Sequence, residues 1–309
     1  MGQVALSGSN LPRFFASGVG SFERCRWGQS PDIRLGPSAR TLGHTNQFDL
    51  KKTFNSDSMP LSTSASRSPV AQLTSPLEVA RWMLFSMGIS IRLQHAERLP
   101  RSPFLMISNH RSFLDAPLLM TVAQKPVHFA CHHYMSQVPV MREVVNALGC
   151  FPLDEPKSRG RTFFKQATEF LRSHESIGIF PEGTDPMVEV PMPGEVGPFH
   201  RGFAHLALRA PVENLQIVPA AVVALEERQQ TTIPFKLLSW FDPSEPLFQQ
   251  GGLHPAVIYR KVAVVIGEPI EMTLAQRDAY HSKQARQIAA DISQACHDKV
   301  QNLLTVGCY

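Results

Sequence analysis

Cysteine is scarce in this sequence and follows no pattern. The 309 residues include five cysteines, at positions 25, 131, 150, 296 and 308, and no two of them form a C-x-x-C pair. An odd number of scattered cysteines argues against a disulfide framework. We therefore expect reduced thiols in a cytoplasm-like compartment.

Long apolar runs are also lacking. The start of the chain shows no charged segment followed by an apolar one, so we expect no secretory signal. The apolar stretch in "SPLEVARWMLFSMG", residues 75–88, falls far short of the roughly 20 residues that a membrane span needs. A helix of this kind either lies in a membrane interface or packs on its own domain.

Most of the chain has no excess of either charge. Residues 1–75 carry eight Lys/Arg and four Asp/Glu, whereas residues 76–309 carry 22 of each sign. The net charge of +4 therefore arises in the N-terminal stretch alone. Because a nucleic-acid binder needs a concentrated basic surface, we expect no nucleic-acid partner.

The N-terminal stretch has no persistent hydrophobic period. Residues 1–75 are rich in Ser, Pro, Gly and Arg, which predicts a disordered basic tail. The same composition, poor in acids, also suits an organelle transit peptide.

From Pro76 onward, short β-branched runs alternate with helical patterns. Ser75 is the predicted N-cap of the first helix and Pro76 its first residue. Seven strands are predicted, in "ISIRLQ", "FLMIS", "VHFA", "GCFPL", "IGIF", "LQIVPAAVVAL" and "VAVVIG". A long helix is predicted for residues 274–304. This alternation predicts one α/β domain over residues 76–309, with a mixed, largely parallel sheet flanked by helices.

Two His–Asp pairs share a spacing of five residues. His44 and Asp49 fall in the N-terminal tail, where nothing fixes their geometry. His110 and Asp115 fall in "MISNHRSFLDAPLL", where a predicted strand gives way to a helix. Catalytic groups gather at such strand ends in α/β sheets. There the helix can bring the Asp115 carboxylate to the Nδ1–H of His110, which leaves Nε2 as a general base. Taken alone, the pair equally suits a histidine satisfied at a helix start.

A second apolar strand runs into "FPEGTD", residues 180–185. Gly183 permits a positive φ angle or close approach of a ligand. Glu182, just past the strand end, is placed to point into the same crevice as His110. On its own this stretch is an ordinary turn with an incidental acid.

Together, "NHRSFLD" (residues 109–115) and "FPEGT" (residues 180–184) resemble the first and third signature blocks of the glycerolipid acyltransferases, the PlsC-like family of lysophosphatidate acyltransferase-like enzymes. Four further stretches agree in order and spacing: "ALGCFPLD", "GPFHRGFAHLA", "IVPAAV" and "VIGEPI". Several blocks in the right order are more specific than any one of them. The resemblance covers about residues 76–304.

The resemblance implies an O-acyltransferase of phospholipid biosynthesis. A fatty acyl group would pass from acyl-CoA or acyl-carrier protein to a hydroxyl of a lyso-glycerolipid such as 1-acylglycerol 3-phosphate, with no cofactor. His110 would be the general base and Asp115 would orient it. Backbone amides near Ser112 or Gly183 are the expected oxyanion donors. The predicted substrate-binding residues are Asn109, Ser112, Glu182, Gly183, Thr184 and Arg201.

One position departs from the family pattern. The family commonly has Arg after Phe-Pro-Glu-Gly-Thr, whereas this chain has Asp185. A carboxylate repels the phosphate that a bidentate Arg would bind. The acceptor is therefore either phosphate-bearing, with Arg201, Arg159 or Arg161 supplying the charge, or a neutral alcohol, aminolipid or lysophospholipid. A non-catalytic lipid-binding member is a further alternative.

Two expectations concern metal and membrane. "HFACHHY" groups His128, Cys131, His132 and His133, but a strand would send alternate side chains to opposite faces, so we expect no metal site. Because the substrates carry acyl chains, the helix from Pro76 is expected to bind a membrane surface. This predicts a peripheral membrane protein of the cytoplasmic face, or of a plastid or other organelle stroma if the tail is a transit peptide.

Overall fold

A computed structural model describes residues 32–33, 75–138, 141–154, 159–183, 191–234, 253–281 and 284–307. The strands are β1 (Asp32–Ile33), β2 (Ser90–Gln94), β3 (Phe104–Ser108), β4 (Val127–Cys131), β5 (Phe151–Pro152), β6 (Ser176–Ile179), β7 (Gln216–Pro234), β8 (Leu253–Ile266) and β9 (Ile270–Glu271). The α-helices are α1 (Pro76–Ser86), α2 (Asp115–Ala123), α3 (Met141–Ala147), α4 (Arg159–Arg172), α5 (Gly202–Arg209), α6 (Leu274–Tyr280) and α7 (Ala285–Val306).

The strands form one mixed sheet in the order β1-β2-β8-β7-β3-β6-β4-β5, with β9 paired to β7. The run from β7 through β3, β6 and β4 to β5 is parallel throughout. The β7–β8 pair is antiparallel. The predicted fold class is confirmed. Parallel pairing also brings the carboxyl ends of β3 and β6 to the same edge, where the loops that carry His110 and Glu182 begin.

Helices cover both faces of the sheet because the side chains of β3 alternate. Phe104 and Met106 enter one core with side chains of α1, α2 and β8. Leu105 and Ile107 point the other way and pack with side chains of α4, α5 and α7. All five residues of β3 are buried, as expected for the centre of a parallel sheet.

Helix α1 has the predicted start. Ser75 and Glu78 form a capping box, and Pro76 is the first helical residue. Ala80 and Leu84 are fully buried, while Trp82 and Phe85 are 56% and 44% exposed. Among the described helices, none has both the length and the hydropathy needed to cross a membrane.

Three features of the fold differ from the sequence-based expectation. The prediction of one long helix over residues 274–304 was wrong, because two separate helices, α6 and α7, occupy this stretch. Arg277 of α6 donates to two backbone carbonyls just after α5, whereas α7 buries its own apolar face in the core. Strands β7 and β8 extend well beyond the predicted runs, because polar residues pair across the hairpin. Residues 32–33 pair with β2, whose edge offers unpaired backbone groups; the other tail residues before Ser75 lie outside the described part.

A glycine in β6 makes room for a row of aromatic rings that runs from the core to the sheet edge. A Cβ placed on Gly178 would lie 2.1 Å from the Phe129 ring. The Phe129 ring stacks on Phe180, with centroids 5.1 Å apart, and Phe180 stacks in turn on the ring of His110 at 4.1 Å. Gly178 therefore leaves the space that this row of rings requires.

We expect Gly178→Ala to lower the free energy of unfolding by about 2–3 kcal/mol, because the methyl group overpacks the buried Phe129 ring. Gly160→Ala is the matched control: its Cβ meets nothing within 4 Å, so the change should be neutral or slightly stabilising. Urea unfolding of both variants measures this. Equal stabilities of the two variants would contradict the packing argument.

Candidate active site

His110 and Asp115 meet at the carboxyl end of β3. His110 lies in the loop after the strand and Asp115 is the first residue of α2. The Nδ1 atom of His110 is 3.0 Å from Oδ2 of Asp115. The histidine side chain is 16% exposed, whereas Asp115 is fully buried. The contact predicted from the spacing is therefore present.

The Asp115 carboxylate receives three more hydrogen bonds. The backbone amides of Arg111 and Ser112 donate to Oδ2 at 2.7 and 2.8 Å. The hydroxyl of Tyr259, from β8, donates to Oδ1 at 2.8 Å. These bonds compensate a buried carboxylate and fix its orientation toward the imidazole.

Tyr259 is a site residue that the sequence did not reveal. It is 1% exposed. Burial, and then the neighbouring Asp115 carboxylate, raise the pKa of Tyr259 well above its ordinary value. The phenol therefore stays a hydrogen-bond donor at any ordinary pH. A local sequence pattern cannot predict this contact, because 144 positions separate Tyr259 from Asp115.

The His110 ring is held from its face as well as from its edge. It lies nearly parallel to Phe180, at an interplanar angle of 11°. With Nδ1 directed at Asp115, the opposite nitrogen, Nε2, has no hydrogen-bond partner among the described residues. The arrangement therefore leaves one nitrogen of a fixed, partly exposed imidazole available for a further hydrogen bond.

Glu182 joins the two signature loops. Its Oε1 accepts from the amide of His110 and its Oε2 from the amide of Gly197, both at 2.7 Å. Burial raises the pKa of Glu182, although the two amide bonds act in the opposite direction. Gly183 has φ +75°, and a Cβ there would lie 3.0 Å from the His200 ring. Only glycine suits this turn.

Asn109 and Ser112 direct their side chains into the protein. The Asn109 amide bonds the backbone N–H and C=O of Val222 in β7, at 2.8 and 3.1 Å. The Ser112 hydroxyl donates to the Val257 carbonyl at 2.5 Å. Both side chains thus fasten the histidine loop to β7 and β8. Their predicted contact with substrate stays a prediction.

Arg111 and Glu227 form an ion pair that the sequence also did not reveal. The guanidinium donates to both carboxylate oxygens, at 2.7 and 2.5 Å. It also donates to the carbonyl of Pro191. Burial, the largest single influence, would raise the pKa of Glu227, but the hydrogen bonds from Arg111 and Gln229 and the Arg111 charge together outweigh it, so this pKa is lowered. The ion pair connects the histidine loop to β7, and the bond to Pro191 connects it to the segment after the Pro-Glu-Gly turn.

Arg201 lies apart from this hydrogen-bond network. It immediately precedes α5, without a side-chain capping bond, and is exposed. It lines a cavity of about 310 Å³ with residues of α7. The adjacent His200 amide donates to the Pro181 carbonyl at 2.8 Å, which places Arg201 beside the Pro-Glu-Gly turn. Thr184 lies outside the described residues, as do Asp185 and the pair His44 and Asp49.

The expectation of oxyanion donors near Ser112 or Gly183 stays a prediction, but the amides of these two residues already have acceptors. The amide of Ser112 donates to Asp115 and that of Gly183 donates to the Phe180 carbonyl at 3.2 Å. Both groups are engaged within the protein, so neither serves as a free donor in this arrangement.

Within the described part of the chain, no group of three or more His, Cys, Asp or Glu side chains is placed to hold a metal ion.

Comparison with known proteins places part of the chain in a family. Residues 90–223 match the sequence profile of the Acyltransferase family. The chain contains an acyltransferase-family domain. It is similar to the chloroplastic 1-acyl-sn-glycerol-3-phosphate acyltransferase BAT2 of Brassica napus, with 30% identity over 40% of this chain and 36% of the relative. A 1-acyl-sn-glycerol-3-phosphate acyltransferase of Saccharomyces cerevisiae is 27% identical over 45% of each chain. The matches thus span less than half the length of these relatives.

One solved structure shows a weak overall likeness to the acyltransferase domain. It is the 1-acyl-sn-glycerophosphate acyltransferase PlsC from Thermotoga maritima, at 16% identity and a TM-score of 0.46. The likeness covers 74% of this chain and 78% of that one.

The raised pKa of Glu182 predicts a pH dependence of stability. A carboxyl that holds its proton more tightly in the folded state loses stabilisation as pH rises from its ordinary pKa of 4.5 through the raised value. Glu182→Gln removes this titration. The stability of the variant relative to the parent should therefore improve as pH is raised from about 4.5 toward neutrality. Thermal unfolding at several pH values measures the difference, and a difference that does not change with pH would contradict the assignment.

Proposed function

We propose that this protein is an O-acyltransferase with His110 as its general base. It moves a fatty acyl group from acyl-CoA or acyl-carrier protein to a hydroxyl of a lyso-glycerolipid. The observation that carries the proposal is the His110–Asp115 pair at the sheet edge, with Nδ1 engaged at 3.0 Å and the opposite nitrogen without a described partner. This is the arrangement that a base acting on an alcohol requires.

The chemistry follows from that arrangement. The Nε2 atom of His110 takes the proton of the acceptor hydroxyl as its oxygen attacks the thioester carbonyl. A C–O bond forms, the C–S bond breaks, and the departing thiolate takes the proton back from the imidazolium. Asp115 stabilises the transient positive charge on the ring. Such a base contributes about 10²–10⁴ in rate, so binding and orientation of both substrates supply the rest.

The predicted substrate residues divide into two groups under this proposal. Asn109, Ser112 and Glu182 act as positioning residues, because their polar atoms already bond the backbone of neighbouring elements. The proposal keeps Gly183, Thr184 and Arg201 as residues that bind the acceptor, as the resemblance implies.

The acceptor is proposed to resemble 1-acylglycerol 3-phosphate, as the names of the relatives suggest. Arg201 is an exposed cation beside the Pro-Glu-Gly turn and suits a phosphate. The alternative is an acceptor without a free phosphate, such as a lysophospholipid, aminolipid or neutral alcohol. Asp185 favours that alternative, since a carboxylate follows directly after the Phe-Pro-Glu-Gly-Thr motif.

A membrane surface is the proposed source of the acceptor. Helix α1 exposes two large aromatic side chains, Trp82 and Phe85, whose centroids lie 5.9 Å apart. Exposed Arg81 adjoins them and can extend toward lipid headgroups. This helix would lie in the interface, which makes the enzyme a peripheral membrane protein of phospholipid biosynthesis.

His110→Ala should lower acyl transfer by about 10²–10⁴, because the base is lost. The measurement incubates protein with acyl-CoA and with acyl-carrier protein against a panel of lysophosphatidate, lysophospholipids and neutral alcohols. Mass spectrometry of the products identifies the acceptor. His44→Ala, which alters the other His–Asp pair, should transfer normally; the reverse result would move the site to that pair.

Tyr259→Phe should lower kcat about tenfold and leave the KM of the acceptor nearly unchanged. The change keeps the ring and leaves one buried oxygen of Asp115 without its donor, which also costs about 1–3 kcal/mol of stability. Tyr280→Phe is the control, because its hydroxyl lies 2.9 Å from a histidine in another part of the fold, His205. An unchanged kcat for Tyr259→Phe would exclude a positioning role.

A further inference from the structure

The signature loop that carries His110 is closed to solvent at most positions. Five of its seven residues are buried, each with an exposed fraction of 6% or less: Asn109, Arg111, Ser112, Leu114 and Asp115. The side chain of His110 is 16% exposed, and Phe113 is 39% exposed. The loop therefore presents to solvent one base and, three positions later, one large aromatic side chain.

The Phe113 ring is held outward by its neighbours. An isolated exposed apolar side chain is common on protein surfaces and needs no explanation by itself. Here, however, the Ser112 hydroxyl donates to the Val257 carbonyl of β8, and Leu114 is fully buried in the core. The chain is thus fixed on both sides of Phe113. A ring kept in water beside the base gains free energy from an apolar ligand that covers it.

The ring of His110 lies on the same face of the sheet as Phe113. It stacks on Phe180, with centroids 4.1 Å apart, and Phe180 packs against the core that α1 and α2 cover. Leu114, which directly follows Phe113, belongs to that same core. The base and the exposed aromatic ring are therefore both on the α1–α2 side of the sheet.

Helix α1 ends at the sheet edge that carries the histidine loop. Strand β2 begins at Ser90, which pairs in parallel with Lys261 of β8. Lys261 lies two residues after Tyr259, whose hydroxyl bonds the Asp115 carboxylate. The last turn of α1, which includes Phe85, comes just before β2 and so lies at this end of the sheet.

The exposed aromatic side chains of α1 and of the histidine loop stand on one core. Leu84 of α1 and Leu114 of the loop are both fully buried in it. Their chain neighbours Phe85 and Phe113 are both exposed. Apolar surface is therefore exposed at the end of α1 and beside His110, on one face and at one edge of the sheet.

We infer that Phe113 contacts the acyl chain of the lipid acceptor and thereby holds the acceptor hydroxyl at His110. The inference rests on the proposed function and adds a specificity-determining residue to it. A lyso-glycerolipid carries a hydroxyl close to an apolar chain, and the loop carries a base close to an apolar ring. The thioester donor has an acyl chain as well. The acceptor is the substrate that comes from the membrane surface proposed for α1, and Phe113 lies at the end of that helix.

Photo-crosslinking tests the contact without requiring turnover. The full chain with benzoylphenylalanine in place of Phe113 is irradiated with oleoyl-lysophosphatidate, oleoyl-lysophosphatidylcholine, monooleoylglycerol or oleoyl-CoA, each below its micellar concentration. We expect a covalent adduct with at least one of the three lipids, identified by mass spectrometry. Leu274 is the control position, because it is 78% exposed and follows β9, which pairs with the opposite end of β7.

Three crosslinking results would overturn the inference: no adduct at position 113, an adduct there with oleoyl-CoA alone, or equal adducts at positions 113 and 274. An adduct with a lysolipid at position 113, in a protein that transfers no acyl group, would support the contact and count against the proposed function alone.

Kinetics should show that the contact depends on chain length. Phe113→Ala should raise the KM of the oleoyl acceptor about tenfold and leave kcat nearly unchanged. The KM of the butanoyl form of the same acceptor should change little, because a short chain has little apolar surface to place on the ring. Phe113→Leu, which keeps an apolar side chain, should restore most of the lost affinity.

Two other results would assign Phe113 a different role. A fall in kcat with no change in KM would mean that the ring only supports the loop. A loss of flotation on phospholipid vesicles as large as that of Trp82→Ala/Phe85→Ala would mean that the ring inserts into the bilayer. Either result would contradict the inference, whereas we expect Phe113→Ala to float like the parent protein.

Discussion

The carboxylate of Asp115 is the interaction on which the rest of the site depends. It is fully buried, and a buried charge is costly unless each oxygen is paired. Four groups meet this need: the His110 ring, two amides of its own loop and the phenol of Tyr259. Hydrogen bonds to charged groups each contribute about 1.5–3 kcal/mol. The loop conformation, the ring orientation and the β8 strand are thereby coupled at one side chain.

The same loop is fastened from outside at three further points. Asn109 forms a hydrogen bond to the backbone of β7, Ser112 forms one to the backbone of β8, and Arg111 forms an ion pair with Glu227 of β7. Glu182 closes the opposite side by accepting the His110 amide. A loop would otherwise be mobile, and a base displaced by about 1 Å loses much of its effect. The other polar residues of the first signature block therefore act mainly on geometry, and the proposed function assigns the action on substrate to the histidine.

The sequence predicted what local patterns determine. Strand β3, the capping box at Ser75 and the His110–Asp115 contact follow from hydrophobic runs, cap residues and a spacing within one loop and helix turn. Tyr259 and Glu227 could not be predicted in this way, because they reach the site through the antiparallel β7–β8 pairing, more than 100 positions along the chain. The break between α6 and α7 was missed because each helix packs on different neighbours, which periodicity does not register.

The proposed function would bring two bulky substrates to one histidine. Parallel strands place the histidine loop at one edge of the sheet, between the helices of the two faces. Helix α1 exposes two large aromatic side chains on one face, where a lipid acceptor would arrive under that proposal. A direct transfer without an acyl-enzyme needs both substrates bound at once, so the thioester donor must reach His110 by a path that the bound acceptor leaves open.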